Sequence, residues 1–181
     1  MNPELVIRAQ RGDGEAFASI AVACGDRLHG IAHRILRDVD LAEDATQQAL
    51  LAIWQNLPTL RDPARFEAWS YRLLVNACYD EGHQKQIWRP NLVVLHDEAA
   101  APDALGQVHD RDQLERGFSR LSIDHRAVVV LHTYLGLSLE EIADILGAPR
   151  GTIRSRLHYA VRAMRAALDA DERPSLREVA P

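Results

Sequence analysis

With 181 residues, 47% of them apolar and 26% charged, the chain can bury a core and falls outside the disordered class. Ten glycines and eight prolines exclude collagen-like and low-complexity sequence, and two cysteines outside any CxxC pattern, Cys24 and Cys78, exclude a disulfide scaffold or zinc ribbon. A net charge of −5 argues against a nucleic-acid partner only as an average, because between Asp144 and Asp169 stand five arginines (Arg150, Arg154, Arg156, Arg162, Arg165) and no acid.

No apolar run approaches the roughly 20 residues that span a bilayer, and Met-Asn-Pro-Glu lacks the basic and apolar segments of a signal peptide. The expectation is a cytoplasmic protein with no direct membrane insertion.

Apolar residues recur at helical spacing and show no sustained alternation, so the expected fold is all-α. Asn2-Pro3-Glu4 reads as a helix start, and Arg11-Gly12-Asp13-Gly14 as the first break. Further helices are expected from about Glu15 to Leu36, from Asp40 to just before Pro58, and from Phe66 to Gln84. Residues 91–110 carry four acids and no base, with Pro102 and Gly106 among them, and helical patterning lapses. It resumes through Arg111–Ser119, Ile123–Tyr134, Leu139–Leu146 and Arg150–Leu168. Two small helical domains, 1–88 and 111–170, are therefore expected, joined by a flexible acidic linker at 89–110 and followed by a polar tail at 171–181.

The most specific segment is GLSLEEIADILGAPRGTIRSRL, from Gly136 to Leu157. Ser138 followed by Glu141 is a capping box, Gly147 ends the helix, and Ala148-Pro149 turn the chain into a second one. This is helix-turn-helix spacing. The second helix directs Ile153, Leu157, Ala160, Val161, Met164 and Leu168 to the core. Arg150, Thr152, Arg154, Ser155, Arg156, His158 and Tyr159 lie near its start, where such a helix meets base edges and phosphates in the major groove. A solvated basic face on a packing helix is the competing reading.

Between Asp40 and Leu57, Leu41, Ala45, Ala49, Ala52, Ile53 and Leu57 form an inward stripe. Asp44, Gln47, Gln48, Leu51 and Gln55 form another, polar except for its central leucine. An apolar anchor among amides suits a protein docking face, although a lone surface leucine is also common. Farther on, Phe66, Trp69, Tyr71 and Tyr79 interleave with Arg61, Arg65, Arg72 and Asn76. Aromatic and cationic groups together suit unstacked single-stranded bases, and the same aromatics also suit simple helix packing.

In order and spacing these segments resemble the extracytoplasmic-function type of bacterial RNA polymerase sigma factor. Asp40-Leu-Ala-Glu-Asp-Ala-Thr-Gln-Gln-Ala-Leu resembles the helix that docks on the polymerase. Phe66-Glu-Ala-Trp-Ser-Tyr-Arg-Leu-Leu-Val-Asn-Ala-Cys-Tyr-Asp resembles the segment that melts and reads the −10 element. Gly136–Gly147 followed by Gly151-Thr-Ile-Arg-Ser-Arg-Leu-His resembles the −35-reading region. The resemblance implies that Asp44, Gln47, Gln48, Leu51 and Gln55 hold the clamp helices of the largest polymerase subunit, and that the polymerase flap region is a further partner. It implies a −10 set of Arg61, Arg65, Arg72, Asn76, Asp80 and Lys85, and a −35 set of Arg150, Thr152, Arg154, Ser155, Arg156, His158 and Tyr159. The linker would follow the RNA path of the polymerase, and an anti-sigma factor would restrain the protein, at the membrane where that antagonist is membrane-bound.

The chain departs from the family pattern at three places. Gln48 stands where an acid is usual, Glu81-Gly-His-Gln-Lys-Gln86 replaces an arginine run, and Tyr159 occupies a position more often basic. Weaker charge-assisted docking and weaker phosphate attraction are expected. His29 and His33 have helical i, i+4 spacing but no further ligand pattern, so no metal or cofactor is expected. No phosphate-binding glycine loop, nucleophile elbow or paired-carboxylate constellation suggests an enzyme. Two alternatives remain: a stand-alone helix-turn-helix regulator, and a sigma-like decoy for an anti-sigma factor.

Overall fold

The computed structural model describes residues 1–88 and 115–171, with backbone only at 84–88 and 168–171. The expected linker, residues 111–114 and the tail beyond 171 lie outside the described residues, as does the side chain of Lys85. Among the described residues the fold is all-helical. The N-terminal region holds α1 (Pro3–Gln10), α2 (Gly14–Leu36), α3 (Val39–Asn56) and α4 (Phe66–Trp88), with short 3-10 turns at Leu57–Thr59 and Pro63–Arg65. The C-terminal region holds α5 (residues 115–119), α6 (Ile123–Val129), a π-helical turn (Val130–Tyr134), α7 (Leu139–Leu146) and α8 (Arg150–Asp171).

Local chemistry accounts for these boundaries. The Asn2, Asp13 and Asp38 side chains accept from the backbone N–H of Glu4, Ala16 and Leu41, capping α1, α2 and α3. Ser138 and Glu141 make both bonds of the expected capping box, and Gly147 closes α7 in the left-handed conformation (φ 60°) that glycine adopts without strain. The expected helix from Ile123 to Tyr134 is interrupted. The Leu135 N–H reaches back to the Val130 carbonyl, and the Thr133 hydroxyl donates to the Val129 carbonyl at 2.7 Å. Side-chain competition for a helical carbonyl accompanies this widened turn.

In the N-terminal region Ile20, Leu28, Ile31 and Ile35 of α2 pack with Ile53 of α3 and Leu74 of α4, all fully buried. Ala42, Ala45 and Ala49 line the inner side of α3, where small side chains let the helices approach closely. The apolar cluster continues into the C-terminal region through Ala127, Val128, Leu131, Ile142, Ile145 and Ile153. On α8 Ala160 and Ala167 are buried, whereas Val161, expected inside, is 45% exposed. Cys24 and Cys78 are buried free thiols, and burial pushes Cys78 up to about 12, which leaves it unreactive at neutral pH. Replacing Ser138 with Ala is expected to cost about 1 kcal/mol, the usual value of an N-cap, measured as a lower midpoint in chemical denaturation.

Candidate functional site

Burying its alanine face turns the opposite face of α3 to solvent. Asp44, Gln47, Gln48, Leu51 and Gln55 are all exposed, as the stripe requires, and Leu51 is 57% exposed. Trp54, absent from the expected set, is also exposed, and its ring lies 4.7 Å from that of Phe17 on α2. The pair enlarges the apolar patch beside Leu51. Its signal was the tryptophan three residues after Leu51, which periodicity alone does not separate from core. The amide of Gln48 is already engaged: it donates to the carboxylate of Glu81, buried on α4.

On α4, Arg72, Asn76 and Asp80 recur every four residues and are exposed, as are Arg61 and Arg65 in the turns before the helix. The expected aromatic set divides. Phe66 and Tyr71 are core residues, 1% and 5% exposed, and so cannot receive a base. Phe66 packs into the apolar cluster, and Tyr71 lies under the Arg27 guanidinium at 5.6 Å. Trp69 and Tyr79 remain half-buried. Burial raises the Tyr79 hydroxyl well above the usual tyrosine range, and the nearby Asp124 carboxylate acts in the same direction.

In the helix-turn-helix, Ile142 and Ile145 of α7 and Ile153 of α8 are buried, fixing the two helices together. Arg150, Thr152, Arg154, Ser155, His158 and Tyr159 are exposed around the first turns of α8. Arg150 pairs with Glu140 at 2.7 Å, and the Ser155 hydroxyl donates to the Gly151 carbonyl at 3.0 Å. Both partners are on the surface, so phosphate can exchange for them. Arg156 differs: its side chain is only 27% exposed and pairs with Asp124 of α6 at 3.0 Å. Tyr159 stands 58% exposed with its ring edge-on to His158. Among the described residues no cluster of His, Cys, Asp or Glu has the makings of a metal site.

Comparison with known proteins bears on these surfaces together. Residues 21–86 match Sigma-70 region 2, and residues 117–166 match Sigma-70 region 4. The chain is 37% identical over 141 residues to the ECF RNA polymerase sigma factor SigL of Mycobacterium tuberculosis, covering 75% of this chain and 78% of that one. The chain belongs to the ECF RNA polymerase sigma factors. SigW of Bacillus subtilis is 27% identical over 87% of this chain and 91% of its own. The solved structure of CnrH in complex with the cytosolic domain of CnrY superposes with a TM-score of 0.66 at 25% identity, covering 93% of this chain and 97% of that one. RpoE, solved with the anti-sigma factor NepR from Bartonella quintana, shares the fold at 23% identity and a TM-score of 0.65, covering 86% of this chain and 98% of that one.

This sigma factor is thus an alternative initiation factor that binds core RNA polymerase and directs it to promoters. Because Leu51 is exposed, Leu51→Asp is expected to leave the thermal midpoint within about 2 °C, a near-neutral surface change. Co-purification with core polymerase should fall at least tenfold; full recovery would remove Leu51 from the docking face.

Proposed function

We propose that promoter recognition is divided among the three exposed faces. Residues 1–88 form the unit that docks through Asp44, Gln47, Leu51 and Gln55 on the clamp helices of the largest polymerase subunit, with Gln48 at its edge. Arg61, Arg65, Arg72, Asn76, Asp80 and Lys85 face the −10 element, with Asn76 placed to capture a flipped base of the non-template strand. Residues 111–170 form the −35-reading unit near the flap region, 89–110 link the two units, and 171–181 are a tail.

One observation carries the −35 assignment. A capping-boxed helix-turn-helix presents Arg150, Thr152, Arg154, Ser155, His158 and Tyr159 together on the first turns of its second helix, with the apolar side buried. Arginines there suit bidentate contact with guanine or phosphate, and the hydroxyls suit phosphate oxygens. Arg156 joins them after leaving Asp124.

The chain supplies binding and positioning in the cytoplasm, while bond formation belongs to the polymerase. A protein antagonist of the anti-sigma type fits the likeness to CnrH, solved with the cytosolic domain of CnrY. The test is run-off transcription by reconstituted holoenzyme on genomic fragments, with start sites mapped. Arg154→Ala is expected to cost about 1–3 kcal/mol at the −35 element, read as a roughly 5- to 150-fold loss of promoter affinity. Unchanged promoter choice by that variant would refute the recognition-helix assignment.

A further inference from the structure

The turns that precede α4 are held by a residue outside the stretch that matches Sigma-70 region 2, which begins at residue 21. Gln10 is the last residue of α1 and is half-buried. Its side-chain Nε2 donates to the carbonyl of Leu57 at 3.1 Å and to that of Leu60 at 2.7 Å. Two acceptors face this amide, so only its NH2 end can point there, and both N–H groups are used. α1 is a firm base for the reach. Val6 and Ala9 are buried against the core, and the Arg8 guanidinium donates twice to the Asp13 carboxylate, at 2.6 and 2.9 Å. The same carboxylate group caps α2, so the end of α1 is tied to the start of its neighbour.

The two bonds end on a backbone that leads directly to a promoter-facing side chain. Leu57 and Leu60 are buried, and the Leu60 N–H donates to the Leu57 carbonyl at 3.1 Å, closing the first turn. Past Arg61, the Asp62 side chain accepts from the Ala64 N–H at 3.0 Å and starts the Pro63–Arg65 turn. Arg61 stands between these anchored stretches, its side chain exposed and unpaired among the described residues. The Leu60 carbonyl and the N–H and Cα of Arg61 belong to one planar peptide. Fixing that oxygen therefore fixes the plane from which the Arg61 side chain departs.

We infer that Gln10 is a positioning residue for −10 recognition, holding through the Leu57 and Leu60 carbonyls the backbone from which Arg61 meets the promoter. This role rests on the assignment of Arg61 to the −10 element. Gln10 acts by preorganisation: a turn fixed before the promoter arrives loses less freedom on binding than one that must be ordered then. Gln10→Glu is isosteric but sets carboxylate oxygens against two carbonyl oxygens and releases the turn. Gln10→Met keeps the volume and removes the donors. Gln10→Lys restores N–H donors at the C-terminal end of α1, where a cation also suits the helix dipole. All four residue types are good helix formers, so helix propensity does not rank them. Promoter function ranks them by donor: wild type and Gln10→Lys first, Gln10→Met next, Gln10→Glu last.

The three variants are tested in the full-length chain, in holoenzyme reconstituted with core polymerase. The probe is a labelled single strand carrying the non-template −10 element mapped by run-off, compared with a scrambled strand, so that any general attraction of Gln10→Lys for phosphate cancels. Preference for the mapped strand should fall about tenfold in Gln10→Glu and about threefold in Gln10→Met, and stay within about twofold of wild type in Gln10→Lys, the range that one or two hydrogen bonds carry. Affinity for core polymerase and for a duplex carrying the −35 element should stay at the wild-type level in all three, whereas partial unfolding would lower every readout together. Combined with Arg61→Ala, Gln10→Glu should add little further loss, because both act through one side chain. Wild-type preference in Gln10→Glu, a Gln10→Lys chain as poor as Gln10→Glu, or an undiminished loss on top of Arg61→Ala would each overturn the inference. If Arg61→Ala alone keeps the full preference, the −10 assignment of Arg61 falls and the role of Gln10 with it. If Arg61→Ala loses preference and Gln10→Glu does not, only the role of Gln10 falls.

Discussion

Close approach of backbones through small side chains is the constraint on which this structure depends. Ala42, Ala45 and Ala49 let α3 lie close against α2 and α4, which leaves the larger, polar side chains of α3 only one direction to face. Gly117 does the same between α5 and α8: a Cβ there would sit 3.2 Å from that of Ala167. Gly82 admits Ile123 and so joins the two regions. A chain of this size has little apolar volume to spare, and tight contacts between small residues let short helices form a core while keeping bulky groups such as Leu51 and Trp54 outside.

One apolar cluster runs through both regions. If the regions were independently sealed, each would cover its own apolar surface and ignore the other. Instead Ile123 and Tyr134 complete surfaces offered by α4 and α2, so apolar side chains of one region are covered by the other.

Much of this was legible in the sequence because the signals were local. The Asn2 and Ser138 caps, the break at Gly12, the end at Gly147 and the two faces of α3 are each set by residues within a turn of one another. Long-range contacts were not legible. Phe66 and Tyr71 carry the composition of a base-stacking surface, and only tertiary packing shows them to be core. Val161 lies within the apolar arc of α8 yet is exposed, while Ala167 is chosen for burial by its proximity to Gly117. The π-helical turn escaped because side-chain hydrogen bonds, rather than apolar periodicity, accompany it.

The same distinction explains two departures from the family pattern that are far apart in sequence. Gln48 replaces an acid on α3, and Glu81 replaces a base on α4; read separately, each weakens a charged contact. In the structure they meet, the Gln48 amide donating to the buried Glu81 carboxylate. An acid at position 48 would place two carboxylates together, a repulsive arrangement. Removing the amide would leave the buried Glu81 carboxyl without this partner. The hydrogen bond between the amide at 48 and the acid at 81 ties α3 directly to α4. What looks like two losses along the chain is a single substituted contact that holds α3 and α4 in register.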